Sequence, residues 1–263
     1  MSERRPPLPL LIDAPRCAVA NMARDEALLD GERTLIRRTA WRDPAVTIGR
    51  FQPWTIWPAE TDGGPRGVAR APIRRITGGG GIEHGGDLTL AWVAPCPSDL
   101  FPDRSPCAIA NRAAEALRTA LEPFFPDAHL RGGDFDERQQ ATIPRCFARE
   151  TPFDLVVGSG EGATKVGGLA VHRRKNRVLI QVSIDRRETL AADQDREFLL
   201  GLAAALDAPP EEIDDLTPEE EMRSVELAIR RYGLHEWNRR IWEPGQSVSE
   251  APIGAEESPE PSI

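Results

Sequence analysis

Four consecutive glycines at positions 78–81 constrain what this chain can fold into more than any other feature of its sequence. Ordering a glycine costs more backbone entropy than ordering any other residue, so a folded chain keeps such a run where its backbone approaches another group closely or needs a positive φ. Arg74 and Arg75 lie shortly before the run, and a strand-like segment, 87–94, follows it. Because the flanking sequence is so strand-like, we favour a pocket wall for a polar or elongated ligand over a flexible linker.

The composition is that of an acidic globular protein whose charge is unevenly distributed. Of the 263 residues, 40% are hydrophobic, which is enough for a core, and the net charge is −9. Residues 1–186 hold 26 Lys and Arg against 23 Asp and Glu, a net +3, whereas residues 187–263 hold 7 against 19, a net −12. With a pI of 5.1 and no interleaved aromatic residues, the chain is not expected to bind nucleic acid. The more basic first part favours an acidic protein partner.

No segment of the sequence indicates a membrane or secreted location. It contains no run of about 18 apolar residues, and its polar N-terminus lacks the apolar stretch of a secretory signal. The four cysteines show neither a CxxC pair nor zinc-site spacing, so we expect no metal site and a reducing, cytoplasmic setting. Lys165 and Lys175 are the only lysines among 33 cationic residues, and a lysine offers a movable, titratable amine that arginine does not.

Hydrophobic periodicity predicts an α+β fold with a mixed, mostly antiparallel sheet and flanking helices. The expected helices are 21–30, 106–121, 197–206 and 217–232, the last with a capping box that begins at Thr217. The expected strands are 10–12, 34–41, 45–49, 68–70, 87–94, 153–157, 164–171 and 177–184, with turns at 42–44, 158–162 and 172–176. Neither a strand–GxGxxG–helix unit nor a GxxxxGK[ST] loop is present, which argues against Rossmann and P-loop nucleotide sites.

The change from strand to helix periodicity divides the chain into four parts. We expect a disordered N-terminus over 1–9, a main domain over 10–186, a small helical appendage over 187–243 and a disordered acidic tail over 244–263.

Four segments, in this order and at this spacing, resemble the superfamily of lipoate–protein ligases, octanoyltransferases and biotin–protein ligases. Segment 21–28 is similar to its NMA-x-DEAL helix, and segment 46–52 to its strand ending in G-[RY]-x-Q. Segment 74–84 is similar to RRxTGGG-x-x-x-H, and segment 165–170 to K-[VI]-x-G-x-A. The resemblance implies a ligase-type catalytic domain over 10–186 and a tunnel for a fatty-acyl or lipoyl chain. The implied binding residues are Arg74, Arg75, Thr77, Gly78, Gly79, Gly80, Gly81, His84, Gly167, Gly168 and Ala170.

Two further residues would carry the chemistry that the resemblance implies. The family lysine points at the carboxyl end of the acyl chain, which assigns this role to Lys165. Segment 146–154 is similar to the C-F-x-x-P-x-[YF]-[DE] pattern of cysteine-dependent octanoyltransferases and lipoyl amidotransferases, which makes Cys146 the nucleophile. Arg145 and Arg149 flank this cysteine, and neighbouring cations lower the pKa of a thiol. The alternative is that Cys146 is a small buried hydrophobic residue.

Two positions depart from the family pattern. Gly85 follows His84 where many ligases have Asp, and Gln181 begins a Gln-Val-Ser segment where octanoyltransferases often have His-Gly-Ser. His84 orients the loop, manages a proton or has a purely structural role. The basic run 173–177 is either a solvated turn or a docking surface for an acidic carrier domain.

The leading hypothesis is an acyltransferase of protein lipoylation. It would move an octanoyl or lipoyl group from a carrier, through a thioester on Cys146, to a lysine of a carrier domain, with Lys165 and loop N–H groups holding the carbonyl. This route requires no cofactor. The expected partners are acyl carrier protein and lipoyl carrier domains of the glycine cleavage H protein or dehydrogenase E2 type. An ATP-dependent lipoate–protein ligase, using ATP and Mg, is the alternative, and a non-catalytic acyl-binding relative is a further one.

Overall fold

A central β-sheet between two layers of helices organises the computed structural model, which describes residues 5–56, 71–133, 148, 150–186 and 190–240. The strands are β1 (Leu8–Ile12), β2 (Leu35–Thr39), β3 (Ala45–Ile48), β4 (Ile73–Arg74), β5 (Ile82–His84), β6 (Asp87–Pro95), β7 (His129–Leu130), β8 (Leu155–Val157), β9 (Thr164–Arg174), β10 (Arg177–Asp185) and β11 (Pro210–Ile213). The helices are α1 (Ala18–Asp30), α2 (Pro106–Leu121), α3 (Asp195–Ala205), α4 (Pro218–Leu227), continued by a π-helical turn (Ala228–Tyr232), and α5 (His235–Arg239).

Eight strands form the main sheet in the order β11-β1-β2-β6-β10-β9-β8-β7. β11, β1 and β2 pair in parallel, and every other neighbouring pair is antiparallel. The long pairing of β6 with β10 aligns Ala91 with Gln181 and places these two strands at the centre of the sheet. The prediction of a mixed, mostly antiparallel sheet with flanking helices is confirmed.

Strand β6 is buried on both faces, as its apolar run predicts. Leu88, Leu90 and Trp92 belong to the core beneath α2 and α3, whereas Ala91 and Val93 belong to the core beneath α1. Because side chains alternate between the faces of a strand, one apolar strand contributes to both cores. The sheet is thereby held between the pair α2 and α3 and the pair α1 and α4.

A separate three-stranded sheet, in the order β4-β3-β5, carries the glycine-rich segment against β9 and β10 of the central sheet. β3 pairs in parallel with β4 and antiparallel with β5. Strands β2 and β3 follow each other closely in sequence but lie in different sheets. The predicted strand 68–70 and the predicted tail 244–263 lie outside the described residues.

The structure corrects two boundaries near turns and termini. The expectation of disorder over 1–9 is wrong for Leu8 and Pro9, because pairing with β11 starts at Leu8, whose N–H donates to the Pro209 carbonyl over 2.8 Å. The predicted turn over 172–176 is too long, because β9 continues to Arg174. The chain reverses at Lys175, which has a φ of 54°.

The segment after residue 190 contributes helices to both layers and a strand to the sheet. α3 packs on α2, and α4 packs on α1. The capping box at Thr217 is confirmed, with its hydroxyl accepting from the Glu220 N–H and the Glu220 carboxylate accepting from the Thr217 N–H. Strand β11 has the exposed sequence Pro-Glu-Glu-Ile, which carries no strand signal and was not predicted.

Neither a membrane span nor a metal cluster is found in the described part of the chain. None of its helices has the length and hydrophobicity that crossing a bilayer requires. None of its His, Cys, Asp and Glu side chains form a group of three or more suited to holding a metal ion.

Candidate active site

The glycine loop, residues 77–81, lies against the end of β3 with no room for side chains at the contact. A Cβ on Gly49 would lie 2.0 Å from the Gly79 carbonyl oxygen, and Gly79 has a φ of 88°. The Arg50 N–H donates to the Thr77 carbonyl over 2.8 Å and keeps the two backbones together. Both reasons for retaining glycine, a close backbone approach and a positive φ, therefore apply here.

Arg75 holds the glycine loop from inside. Its Nη2 donates to the carbonyls of Gly78 and Gly80 over 2.8 and 2.7 Å, and its Nε donates to the Thr77 hydroxyl over 3.1 Å. The same Nη2 would lie 2.9 Å from a Cβ on Gly79, so a side chain at Gly79 would displace the guanidinium. The guanidinium thus supplies hydrogen-bond donors to carbonyls of a loop that forms no regular secondary structure.

Arg74 faces the opposite way and does not line the pocket. Its Nη1 donates to the carbonyls of Gly49, Arg50 and Gln52 over 3.0, 2.8 and 2.6 Å, and its side chain is fully buried. Burial, and secondarily the charge of Arg75, lowers the pKa of Arg74 to about 10. The two arginines of the motif thus have separate places, and the substrate-binding role predicted for Arg74 has no counterpart in its contacts.

His84 is buried and is held on every side. Its Nε2 lies 2.8 Å from the Thr47 hydroxyl and its Nδ1 lies 2.9 Å from Asp87 Oδ2, while its ring stacks on Trp41 at a centroid distance of 3.9 Å. Asp87 also accepts hydrogen bonds from Thr89 and Ser183. A carboxylate on one ring nitrogen fixes the orientation of an imidazole. These contacts fix the His84 ring between Thr47 of β3 and Asp87 of β6.

A narrow pocket lies between α1, the small-sheet strands β3 and β5, and the main-sheet strands β6, β9 and β10. Its cavity volume is about 20 Å³, so the pocket is small. Its apolar walls come from Met22, Ile82, Leu169, Ala170 and Val182. Its polar groups come from Thr47, Arg75, His84, Thr89 and Gln181, and Gly168 completes the lining. A slot of this composition suits a flexible alkyl chain with one polar end.

Lys165 lies next to Gly168, one of the residues that line the pocket, and its buried side chain is paired with Asp154. Its Nζ is 2.9 Å from Asp154 Oδ1, and the two side chains are 4% and 2% exposed. A Cβ on Gly168 would lie 2.9 Å from Lys165 Cε and 3.1 Å from Nζ, so the bare backbone of this pocket-lining residue makes room for the lysine. Burying an ammonium is costly unless it is paired, and Asp154 provides that pairing.

Asp154 is a residue whose role the sequence analysis missed. Its Oδ2 accepts from the Thr151 N–H over 2.7 Å and its Oδ1 accepts from the Thr151 hydroxyl over 2.8 Å. The available signal was its position at the acidic end of the C-F-x-x-P-x-[YF]-[DE] pattern. Cys146 itself lies outside the described residues.

Two further predicted site residues on β9, Ala170 and Gly167, face different surroundings. Ala170 lines the pocket and lies 3.8 Å from the position of a Cβ on Gly79, so the glycine loop and β9 meet there. Gly167 faces the core instead, where its Cβ would lie 3.1 Å from Leu155 Cδ1 and 3.3 Å from Ile184 Cγ1. Gln181, noted in the sequence only as a departure from the family pattern, lies in the pocket wall.

Comparison with known proteins agrees with this geometry. The sequence model of one protein family, the lipoyl protein ligase A/B catalytic domain, matches residues 18–191 of the chain. The chain belongs to this family. The resemblance found in the sequence is thereby confirmed.

The curated relatives of the chain carry one name. It is 31% identical over 209 residues to octanoyltransferase LipM of Anoxybacillus flavithermus, covering 72% of this chain and 68% of the relative. It is 30% identical to octanoyltransferase LipM of Geobacillus kaustophilus, covering 73% and 68%.

Solved structures of the same fold are lipoate–protein ligases. The putative lipoate protein ligase of T. acidophilum with bound lipoic acid superposes with a TM-score of 0.70 at 23% identity, covering 90% of this chain and 100% of that one. A lipoate-protein ligase A bound with ATP superposes with a TM-score of 0.69 at 21% identity and the same coverage. At these identities the superpositions establish the fold.

Proposed function

We propose that this protein is an acyltransferase of protein lipoylation, which transfers an octanoyl group from a carrier through Cys146 to a lysine of a lipoyl carrier domain. The observation that carries the proposal is the buried Lys165–Asp154 pair beside an apolar slot, in a chain similar to octanoyltransferases. The ion pair and the slot offer one site for the two ends of an acyl group.

The apolar walls support binding of the alkyl chain. Ile82 of β5, Leu169 and Ala170 of β9 and Val182 of β10 approach the slot from different strands. Each methylene that moves from water into such surroundings contributes about 0.8 kcal/mol. An eight-carbon chain therefore supplies several kcal/mol of binding without any specific polar contact.

The polar end of the acyl group would lie between Lys165 and the glycine loop. The ammonium, held by Asp154, presents a positive charge where negative charge develops on the attacked carbonyl oxygen. Oriented donors of this kind act strongly in a site that excludes water, and removal of one such donor typically costs about 10²–10³ in rate.

The covalent route would run through two exchanges at the acyl carbon. The Cys146 thiolate attacks the carrier-bound thioester, its C–S bond forms, the carrier's C–S bond breaks, and the carrier sulfur leaves and takes a proton. The ε-amine of the acceptor lysine then attacks, the amide forms, and the Cys146 sulfur leaves while the amine loses its proton to solvent. Because the thioester is already activated, this route needs no ATP or metal.

Chain connectivity is compatible with a Cys146 sulfur at this site. Four residues lie between Cys146 and Thr151, which is hydrogen-bonded to Asp154. An extended chain spans at most about 3.6 Å per residue, so connectivity limits Cys146 to within roughly 20 Å of Thr151, and the proposal requires a shorter distance than this limit.

Carrier domains are the partners that this reaction requires. A relative of the same fold is described as a bi-partite lipoate protein ligase with its E2 lipoyl domain from Thermoplasma acidophilum. For this chain we propose acyl carrier protein as donor and a lipoyl domain of the E2 or glycine cleavage H type as acceptor.

Intact-protein mass spectrometry tests the proposal directly. The protein is incubated with octanoyl–acyl carrier protein without ATP, and an acyl adduct is sought before and after addition of an acceptor domain. We expect the adduct to form, to disappear when acceptor is added and to be absent from Cys146→Ser. Cys107→Ser is the matched control, because Cys107 is an exposed free cysteine on α2 and should retain wild-type transfer.

A second arm of the same experiment examines the ligase alternative. The protein is incubated with lipoate, ATP and Mg, and pyrophosphate is measured. Acceptor acylation with no covalent adduct but with pyrophosphate release would replace the proposal with the ligase. Lys165→Arg should fail in the transfer assay although it keeps the charge, because the space between Asp154 and Gly168 is filled by the lysine chain.

A further inference from the structure

Gln181 connects the glycine loop to helix α1 through both ends of its carboxamide. Its Nε2 donates to Asp25 Oδ2 over 2.6 Å, and its Oε1 accepts from the Thr77 hydroxyl over 2.5 Å. Asp25 is fully buried on α1, and Thr77 is fully buried in the glycine loop. The side chain thus spans the distance between an element of the core and a loop at the pocket.

The hydrogen bonds along this path all run in one direction. Arg75 Nε donates to the Thr77 oxygen over 3.1 Å, which leaves the single hydroxyl proton of Thr77 to bond Gln181. Asp25 accepts from Gln181 and, over 2.5 Å, from Arg37 Nη1. The path therefore begins at the Arg75 guanidinium and ends at the Asp25 carboxylate. The side chain at position 181 must supply an acceptor to Thr77 and a donor to Asp25.

We propose that Gln181 is a positioning residue, whose carboxamide holds the glycine loop in place by joining Thr77 to Asp25. The benefit to acyl transfer rests on the proposed function, because the held loop is the one that faces the acyl carbonyl. The positioning itself is a property of the resting protein and requires no substrate.

The chemistry of position 181 decides which side chains preserve the connection. Histidine in its neutral form offers one acceptor nitrogen and one N–H donor, as the amide does. Methionine has a similar length but no strong donor or acceptor. An ionised glutamate accepts hydrogen bonds only and would place a second carboxylate against Asp25. The series Gln181→His, Gln181→Met and Gln181→Glu therefore separates hydrogen bonding from volume.

Amide hydrogen exchange of the full-length protein without substrate is the first test. Peptides covering residues 73–84 report on β4, the glycine loop and β5. We expect exchange there to accelerate about tenfold in Gln181→Met and Gln181→Glu, and to stay close to wild type in Gln181→His. Thr217→Ala is the control, because it removes the cap of α4 without touching the loop.

Steady-state acyl transfer is the second test. Gln181→Met should lower kcat about tenfold or more while KM for the acyl donor changes less than about threefold, and Gln181→His should restore kcat. If Gln181 only lined the slot, its substitutions would instead change KM in step with the apolar character of the new side chain. If Gln181→Met does not fold, Gln181→Leu supplies the same measurement, because it also removes both hydrogen bonds of the carboxamide at a similar volume.

The two arms separate the failure of this inference from the failure of the proposed function. Loop exchange that is unchanged, relative to Thr217→Ala, in a folded Gln181→Met or Gln181→Leu protein overturns the inference. Failure of Gln181→His to restore loop protection in a folded protein also overturns it. A wild-type protein that transfers no acyl group refutes the proposed function, and the exchange measurements still decide the role of Gln181.

Discussion

Adding a single methyl group at Gly49 should separate the glycine loop from the small sheet. A Cβ there would lie 2.0 Å from the Gly79 oxygen, 2.9 Å from the Gly79 carbonyl carbon and 3.0 Å from the Gly78 carbonyl carbon, and all three atoms are backbone. No change of rotamer relieves a backbone clash. The loop or the end of β3 must therefore move by more than 1 Å to restore ordinary contact near 3.4 Å.

The expected cost of Gly49→Ala follows from what that movement breaks. Backbone hydrogen bonds from Arg50 to Thr77 and from Arg75 to Ile48, of 2.8 and 3.0 Å, flank the contact. Overpacking typically costs about 1–3 kcal/mol, and each weakened hydrogen bond adds about 0.5–1.5 kcal/mol. We expect a loss of about 2–6 kcal/mol in the free energy of unfolding, and a fall in acyl-transfer rate of about 10²-fold because the loop is displaced by about 1 Å.

Urea unfolding, thermal denaturation and single-turnover acyl transfer measure these effects on the same preparations. Gly162→Ala is the matched control, since a Cβ there meets nothing within 4 Å and the residue lies in the turn before β9. We expect the control to unfold and react as wild type does, to within about 0.5 kcal/mol. A Gly49→Ala protein with wild-type stability and rate would refute the close approach of Gly49 to Gly79 and its role in holding the glycine loop against β3.

Three further predictions concern the same region. Gly168→Ala should push Lys165, whose Cε would be 2.9 Å from the new Cβ, away from its carboxylate; because a flexible side chain moves, we expect less than about 1 kcal/mol of destabilisation but at least about a tenfold loss of transfer. Burial alone would raise the pKa of Asp87, but His84 and two hydroxyl groups lower it from 3.8 to about 2. Ionised Asp87 therefore adds about 2 kcal/mol to the free energy of unfolding above pH 4, and this contribution is lost as the pH falls towards 2. Urea unfolding of Asp87→Asn at a series of pH values should not show this loss. Burial and two nearby arginines lower the pKa of His172 from 6.5 to about 4, so about 3 kcal/mol of stability present above pH 6.5 should disappear as the pH falls to 4, and His172→Gln should remove this dependence in the same titrations.

Elements with a strong local pattern could be predicted from the sequence with correct bounds. Helix α2 spans Pro106–Leu121 as its 3.6-residue periodicity and its initial proline indicate. The pairing of β9 with β10 follows from two strand-like runs joined by a short turn. Strand β11 could not be predicted, because it begins with proline, two of its four residues are glutamates, and its pairing with β1 alone makes it a strand.

The separate places of the two adjacent arginines follow from a rule that the sequence analysis did not apply. Consecutive side chains in an extended segment point to opposite sides. Arg74 and Arg75 follow a strand residue, Ile73, so a single arginine of the pair could face the glycine loop. Which of the two does so depends on the pairing of β4 with β3, and this pairing is a tertiary feature that motif spacing does not contain.

Helix α1 shows why the role of its acidic residues was missed. An amphipathic interpretation assigns Asp25 and Glu26 to a solvent-facing side, but every residue from Asn21 to Leu29 is buried. The helix lies between the sheet and α4, so it has no solvent-facing side along this stretch. Polar residues in such a helix must find partners in the protein.

The partners of Asp25 and Glu26 come from strands β2, β9 and β10 and from the segment after residue 190. Asp25 accepts from Arg37 of β2 and from Gln181 of β10, while Glu26 accepts from Arg174 of β9 and from Tyr232 beyond α4, over 2.7 Å for the tyrosine. A buried carboxylate left without its partner is strongly destabilising. Helix α1 can therefore pack between the sheet and α4 only when the partners of both Asp25 and Glu26 are present. Helix α1 thus contacts both Gln181 of the pocket wall and Tyr232 of the segment after residue 190, two connections that its sequence motif does not show.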